Sequence, residues 1–126
     1  MNLSITFSQH PLLAPPPSFP LSQESEIGAV VDFYGVVRGL ESGSPIAGLD
    51  YDAYLGMADK ELRRICIDLA QLHPCRSVTF QHRLGPVPVG EPSLHVRVEA
   101  KHRAAAFAFA RELVDRMKED VPIWKI

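Results

Sequence analysis

The chain of 126 residues lacks several features that mark particular classes of protein. Its only cysteines, Cys66 and Cys75, form no CxxC pair and are too few for a disulfide scaffold. No run approaches the roughly 18 consecutive apolar residues that a membrane helix needs. The N-terminal stretch MNLSITFSQHP has no basic segment followed by an apolar block, so no secretory signal is expected. We therefore predict a cytoplasmic protein with no membrane partner.

The charge balance and the absence of nucleotide and metal motifs exclude further classes. Thirteen Lys and Arg residues against fifteen Asp and Glu residues give a net charge of −2, so no overall basic field favours nucleic acid. The sequence has no GxGxxG, GxxxxGKS/T or nucleophile-elbow pattern, and no HxxxH or HExxH pair, so no nucleotide fold, hydrolase or metal site is predicted. Any anion must then be bound by a local cluster of basic side chains.

Five stretches have the composition of β-strands: LSITF, GAVVDFYGVVR, LDYDAY, SVTFQHR and SLHVRVEA. GAVVDFYGVVR is rich in β-branched and aromatic residues, so we expect it to be buried on much of both faces. SLHVRVEA alternates most regularly, and the alternation assigns one set of residues to each face of the sheet. We expect Leu94, Val96, Val98 and Ala100 to point inward and His95, Arg97 and Glu99 to point outward.

Two stretches have helical spacing. In the first, Leu62, Ile65, Cys66, Leu69 and Leu72 form an apolar stripe, with Asp59 as the predicted N-terminal cap and Pro74 beyond the end. The second helix is AAAFAFARELVDRMKED, in which the predicted apolar stripe is Phe107, Ala110, Val114 and Met117. Pro122 ends it, because the residue before a proline resists helical geometry.

The order of these elements predicts an α+β fold, with a mostly antiparallel sheet and the helices packed on one side. Residues 1–26 are predicted to be a strand and a proline-rich arm, since five of the eleven prolines fall within residues 11–20. Residues 27–126 are predicted to be the main body of a single domain. The segments LESGSPIAG and LGPVPVGEP are expected to be loops.

Four basic groups lie at the ends of elements, where loops on a rigid scaffold often build sites: Arg38, His82-Arg83, Lys101-His102-Arg103, and the pair Lys118 and Lys125. The run of three lies where the last strand meets the last helix. Cations are unfavourable at a helix N-terminus unless an anion binds there, so the run indicates either an anion site or a solvated turn. Lys118 is either an ordinary cation in a last helical turn or a functional one. Lys125 follows VPIW, whose apolar bulk is expected to hold the tail in place.

The ordered stretches GAVVDFYGVVR, YDAYLGMADKEL, VTFQHRLGPVPVGE, VEAKHRAAAFAFARELVDRMK and VPIWK resemble those of the large, catalytic subunit of molybdopterin synthase. They cover about residues 27–125. The resemblance implies the hammerhead variant of the α+β fold and an enzyme that converts cyclic pyranopterin monophosphate to the dithiolene molybdopterin. It implies a ubiquitin-like small subunit as sulfur donor, through a Gly-Gly thiocarboxylate tail, and a homodimer within a heterotetramer. No metal or organic cofactor is implied.

The resemblance also implies the site residues. Lys118 and Lys125 match the family's catalytic lysines, with Lys118 nearest the reacting carbons and Lys125 as the second cation or proton donor. The implied substrate-binding residues are Val36, Val37, Arg38, His102, Arg103, Lys118, Lys125 and Ile126. His102 and Arg103 are expected to come from the neighbouring large subunit. Val36 stands where the family often has a basic residue, which removes one phosphate contact.

Three other functions compete with sulfur transfer. A non-catalytic homologue that binds only the ubiquitin-like partner is favoured by a sequence ending at Ile126, where the family usually continues. A phosphate-binding or nucleotide-binding regulator would use Arg38, His102 and Arg103 alone. A thiol enzyme would use Cys75, for which the sequence indicates no partner that lowers the thiol pKa.

Overall fold

The structure is a computed structural model, and it describes residues 1–12 and 26–126. Within these ranges the chain forms nine strands and two helices. In chain order they are β1 (Asn2–Ser8), β2 (Ala29–Val36), β3 (Leu40–Glu41), β4 (Ser44–Pro45), β5 (Gly48–Ala53), α1 (Leu55–Leu72), β6 (Ser77–Arg83), β7 (Gly85–Pro88), β8 (Pro92–Ala100), α2 (Arg103–Asp120) and β9 (Ile123–Lys125). The predicted proline-rich arm lies mostly outside the described residues.

The main sheet has the strand order β1-β6-β8-β2. Strands β1 and β6 are parallel, whereas β6 pairs antiparallel with β8 and β8 with β2. A second sheet has the order β7-β5-β9 and is antiparallel, and β3 and β4 form a short hairpin. Both helices contribute to one core against the main sheet. The predicted α+β fold with a mostly antiparallel sheet and helices on one side is confirmed.

The core lies between the two helices and the inward face of β6 and β8. Phe80 and Val96 from the sheet meet Leu62 and Leu113 from the helices, and all four are fully buried. Removing each such side chain from water contributes roughly 1.5–3 kcal/mol to folding. The inward positions predicted for β8 are confirmed, since alternation along a strand sends every second side chain to the same face.

The opposite face of β8 differs from the exposed polar face that alternation suggested. His95 is 1% exposed, Arg97 3% and Glu99 0%. The ring of Tyr34 stacks on His95 with centroids 4.7 Å apart. Asp32 accepts hydrogen bonds from His95 at 2.7 Å and from Arg97 at 2.7 and 2.8 Å. These bonds compensate the desolvation of the buried groups, so the polar face of the central strand is buried as well.

Strand β2 is less buried than its apolar composition predicted. Phe33 is 39% exposed, Tyr34 37% and Val36 52%. The reason is topological: β2 pairs only with β8 and forms an edge of the main sheet. The expectation that this strand is buried on both faces is therefore wrong, and its aromatic side chains form part of the protein surface.

Helix α1 begins five residues earlier than predicted. The N-cap is Tyr54, which makes no side-chain capping bond, and the amide of Ala58 already donates to the Tyr54 carbonyl at 2.7 Å. Asp59 is therefore inside the helix and not its cap. Its carboxylate accepts a bond of 2.8 Å from Arg63, one turn further along. The predicted end before Pro74 is confirmed, with His73 as the C-cap.

Helix α2 ends as predicted but buries a different stripe. Val121 is its C-cap, immediately before Pro122. Phe107 was predicted to face the core, yet it is 62% exposed, while Phe109 is fully buried. The buried residues are Ala106, Phe109, Ala110, Leu113 and Met117. Small alanines let the helix lie close to the sheet, which rotates the large Phe109 inward.

Both predicted loops contain short strands. The first holds the β3–β4 hairpin, whose turn uses Ser42 at φ 51° and Gly43 at φ 80°. The second holds β7, which pairs with β5. Because these strands are only two to four residues long, turn residues dominate their composition, and the sequence pattern predicts loops instead of strands.

Candidate active site

The C-terminal tail is held by backbone hydrogen bonds. In the β5–β9 pairing, Tyr51 lies opposite Lys125 and Asp52 opposite Trp124. The amide of Ile126 donates to the Asp50 carbonyl at 2.7 Å. The expected burial of VPIW is only partly right, because Trp124 is 39% exposed. The strand ladder therefore contributes to fixing Lys125, in addition to apolar burial.

A cavity of about 580 Å³ lies between the tail, the end of β2 and the last turn of α2. Its size suits a small-molecule ligand. It brings together five of the residues predicted for the site, from two distant parts of the sequence. These residues are Val36, Val37, Arg38, Lys118 and Lys125.

The charged side chains around this cavity favour an anion. Arg38, Lys118 and Lys125 line it, against a single lining carboxylate, that of Glu41. Lys125 Nζ lies 3.3 Å from Glu41 Oε1. Within residues 1–12 and 26–126, neither Arg38 nor Lys118 forms an ion pair. Arg38 and Lys118 are thus available to a negatively charged ligand, whereas Lys125 is paired with the exposed carboxylate of Glu41.

His82 also lines the cavity, although the predicted site did not include it. Its side chain is 4% exposed, and its Nδ1–H donates to the Arg83 carbonyl at 2.8 Å. The ring of Tyr51 meets the imidazole edge-on, with centroids 5.0 Å apart. Burial lowers the pKa of His82 below its ordinary value of 6.5, and the bond to the carbonyl opposes this only in part. The alternation of SVTFQHR was the available signal, since it assigns His82 to the buried face with Val78 and Phe80.

The remaining predicted site residues lie elsewhere in this chain. His102 and Arg103 are exposed at the start of α2, whereas Lys118 lies in its last turn. Fifteen residues of helix separate Arg103 from Lys118 by about 22 Å. Ile126 is 78% exposed and does not line the cavity. One chain alone therefore does not bring His102 and Arg103 to the cavity.

Neither cysteine is poised as a nucleophile. Burial raises the pKa of Cys66 to about 12 and that of Cys75 to about 11. Both thiols are therefore protonated at neutral pH, and a thiol is a poor nucleophile compared with its thiolate. Cys66 belongs to the core, as predicted.

In the part of the chain that the structure describes, no group of three or more His, Cys, Asp or Glu side chains is arranged to hold a metal ion. The described residues form two helices, α1 and α2, and neither is long and apolar enough to cross a membrane.

Comparison with known proteins identifies the family. The family model described as MoaE protein matches residues 16–120, which is most of the chain. The chain belongs to the MoaE family. The rat molybdopterin synthase catalytic subunit is 44% identical over 98 residues, which cover 78% of this chain and 49% of the rat protein. The chain spans about half the length of the first curated MoaE relatives that it matches.

Solved structures agree with the MoaE fold. Molybdopterin synthase from Staphylococcus aureus superposes with a TM-score of 0.81 at 30% identity, over 94% of this chain and 86% of that chain. A chain from the Helicobacter pylori complex of subunits 1 and 2 of molybdopterin-converting factor has a TM-score of 0.70 at 23% identity, over 98% of this chain and 82% of that chain. The similarity to the Helicobacter pylori chain shows a shared fold.

Proposed function

We propose that this chain is the catalytic subunit of a molybdopterin synthase. It transfers sulfur from the C-terminal thiocarboxylate of a ubiquitin-like small subunit to cyclic pyranopterin monophosphate. The observation that carries the proposal is the cavity in which Arg38, Lys118 and Lys125 meet. Family membership supports the same assignment.

The charge of the reactants explains why a cationic cavity suits this chemistry. The sulfur nucleophile is an anionic thiocarboxylate, and the substrate carries a phosphate. Bringing two anions together is unfavourable unless fixed cations offset their repulsion, and preorganised charges do this most effectively away from water. Lys118 stabilises the charge that develops near the reacting carbons, Lys125 acts as the second cation or proton donor, and Arg38 binds the phosphate. Neither a metal nor an organic cofactor takes part.

The substrate-phosphate site is completed by a second copy of the chain. His102 and Arg103 lie about 22 Å along α2 from Lys118, by the rise of a helix, so they serve the cavity of a neighbouring subunit. The functional unit is then a homodimer of this chain, with one small subunit bound to each copy. The Helicobacter pylori chain of the same fold was solved in a complex of subunits 1 and 2, which is a precedent for a partner subunit of a second kind.

Defined reconstitution tests the proposal. The chain is mixed with a thiocarboxylated ubiquitin-like carrier and cyclic pyranopterin monophosphate, and the dithiolene product is quantified. We expect Lys118→Ala and Lys125→Ala each to lose on the order of 100-fold or more in rate. Lys60→Ala is the matched control, because Lys60 is an exposed lysine of α1 outside the cavity. Carrier binding without product from the unaltered chain would instead support a non-catalytic binding subunit.

A mixing experiment tests the shared site. Arg103→Ala and Lys125→Ala chains are each expected to be inactive as homodimers. A mixed dimer contains one intact site, because a two-fold interface pairs the altered residues at the other site. Random mixing should then restore about a quarter of the unaltered activity. If Arg103 serves the cavity of its own chain, mixing restores nothing.

A further inference from the structure

His82 is the least expected group in the cavity, because it is a buried titratable side chain with one ring nitrogen unused. Its Nδ1–H is fixed on the Arg83 carbonyl at 2.8 Å. A neutral imidazole that donates from Nδ1 carries its lone pair on Nε2. Within the described residues Nε2 has no hydrogen-bond partner, although the side chain is only 4% exposed and lines the cavity.

The surroundings of the ring restrict what it can do. The titratable and charged groups that share the cavity with it are Arg38 from the loop after β2, Glu41 from β3, Tyr51 from β5, Lys118 from α2 and Lys125 from β9. Arg38 and the two lysines are hydrogen-bond donors. Glu41 is exposed and holds Lys125. Because burial keeps the imidazole neutral at pH 7, His82 is the enclosed group of this set that is able to accept a proton.

Sulfur transfer from a thiocarboxylate needs such a group, and here the inference rests on the proposed function. When the thiocarboxylate sulfur attacks a carbon of the pterin substrate, the carbon–oxygen bond that the sulfur replaces breaks, and its electron pair leaves with the oxygen. The sulfur remains bonded to the acyl carbon of the carrier. The product is a thioester that joins carrier and pterin. The acyl carbon–sulfur bond must then be broken by water before the carrier can leave.

We propose that His82 is the general base that activates this water. The water oxygen forms a bond to the acyl carbon while one of its protons passes to His82 Nε2. The acyl carbon–sulfur bond breaks, and its electron pair leaves with the sulfur on the pterin. The imidazolium returns its proton to that sulfur, so His82 ends the step neutral. The carrier leaves with an ordinary carboxyl terminus, which ionises to solvent, and no oxidant or reductant is consumed.

His82→Asn separates this role from a structural one. The Asn amide nitrogen reproduces the position of Nδ1 and keeps the donor to the Arg83 carbonyl, whereas nothing replaces Nε2. In reconstitution with thiocarboxylated carrier and cyclic pyranopterin monophosphate, we expect the first sulfur–carbon bond to form at an unaltered rate. Adduct hydrolysis should slow by on the order of 100-fold or more, so that a covalent carrier–pterin species accumulates in intact-mass spectra. His10→Asn, at an exposed histidine outside the cavity, should accumulate none.

The unaltered chain provides a second measurement that does not depend on the variant folding. Single-turnover hydrolysis of the adduct should slow by about tenfold for each pH unit below the pKa of His82, since only the neutral imidazole accepts a proton. The pKa of His82 is measured on the same preparation by following the imidazole in an NMR titration. A hydrolysis rate that does not fall below that measured pKa would overturn the role of His82. So would a folded His82→Asn chain that releases product at the normal rate.

The two proposals fail in different ways. If the unaltered chain forms neither adduct nor product, sulfur transfer itself is wrong, and the role of His82 is rejected with it. If the unaltered chain forms product and His82→Asn does so equally well without adduct, only the role of His82 is rejected. Adduct that accumulates in His82→Asn alone supports both.

Discussion

Lys125 Nζ lies 3.3 Å from Glu41 Oε1, and this contact joins the C-terminal strand to the β3–β4 hairpin beside the cavity. The two side chains are 51% and 41% exposed, so the pair contributes at most about 1 kcal/mol to stability. Its larger consequence is for binding, because a ligand anion must compete with Glu41 for Lys125. The carboxylate therefore weakens the attraction of the cavity for anions in the free protein.

Removing this carboxylate should strengthen anion binding. Glu41→Gln leaves Lys125 unpaired, and a charge about 4 Å away is worth about 1 kcal/mol in water, or about fivefold in affinity. The measurement is a fluorescence titration with inorganic phosphate, using Trp124, the only tryptophan, which lines the cavity. The gain should shrink as salt is added. Asp59→Asn, which removes an equally exposed charge from α1, is the control, and a similar gain there would point to net charge alone.

The two phenylalanines of α2 should differ sharply in their contribution to stability. Phe109 is fully buried and Phe107 is 62% exposed, although they are two residues apart on one helix. Phe109→Ala should cost about 3–5 kcal/mol in free energy of unfolding, because it leaves a cavity in the core. Phe107→Ala should change it by less than about 0.5 kcal/mol. Urea denaturation measures both at a protein concentration where the chain is monomeric, and equal losses would contradict the observed rotation of the helix.

The two phenylalanines show which features of helix α2 can be predicted from sequence alone. The spacing of Phe107, Ala110, Val114 and Met117 fits a helical stripe as well as the true one does. Periodicity identifies the helix, but which of two neighbouring stripes faces the sheet depends on how closely the alanines allow the backbones to approach. In contrast, Pro122 ends the helix by a local steric rule, and that prediction needs no tertiary information.

The site residues also divide into those that the sequence indicates and those that depend on tertiary contacts. Arg38, Lys118 and Lys125 were identified as basic residues at the ends of elements, and a family resemblance implied their roles. The β5–β9 ladder explains how a tail residue reaches the cavity. His82 was noticed only as part of a basic pair. Its burial depends on Tyr51, which is distant in sequence, and on the neighbouring strand β8. Long-range contacts of this kind leave no local pattern. The sequence alone therefore does not distinguish a buried, neutral histidine from an exposed, charged one.

The buried network on the far side of the sheet predicts how stability depends on acid. Burial raises the pKa of the Asp32 carboxyl, but hydrogen bonds and charges from Arg97 and His95 outweigh it, so the pKa is lowered overall. A carboxyl whose folded pKa is depressed stabilises the fold above its unfolded pKa, about 3.9, and loses that contribution as the pH falls through the folded value. Asp32→Asn should therefore cost about 2 kcal/mol at pH 7 and progressively less below about pH 4.

Urea denaturation at pH 7 and at pH 3 measures this difference. Asp115→Asn is a suitable control, because Asp115 is a more exposed carboxylate, 64% accessible, at 4.0 Å from Arg111. Its substitution should have a small effect at either pH. A loss for Asp32→Asn that is the same at both values would mean that the Asp32 carboxyl is not stabilised by its buried partners.

Replacement of glycine by alanine should have opposite effects on stability at Gly48 and at Gly56. A Cβ on Gly48 would lie 2.6 Å from the Val87 carbonyl oxygen, because β5 and β7 approach closely there. A Cβ on Gly56, in the first turn of α1, would meet open space. Gly48→Ala should destabilise the fold by on the order of 2 kcal/mol, since backbone must move. Gly56→Ala should stabilise it by about 0.5–1 kcal/mol, since a flexible helical residue is replaced by a strong helix former.

The Gly48 change should also reach the candidate site. Strand β5 lies between β7 and β9, so pushing it away from β7 shifts the strand that carries Lys125. We therefore expect Gly48→Ala to lower the affinity for phosphate in the Trp124 titration, while Gly56→Ala leaves it unchanged. Thermal denaturation and the same titration, run on both variants, give the result. Unchanged binding in a destabilised Gly48→Ala chain would mean that β9 holds Lys125 independently of the packing between β5 and β7.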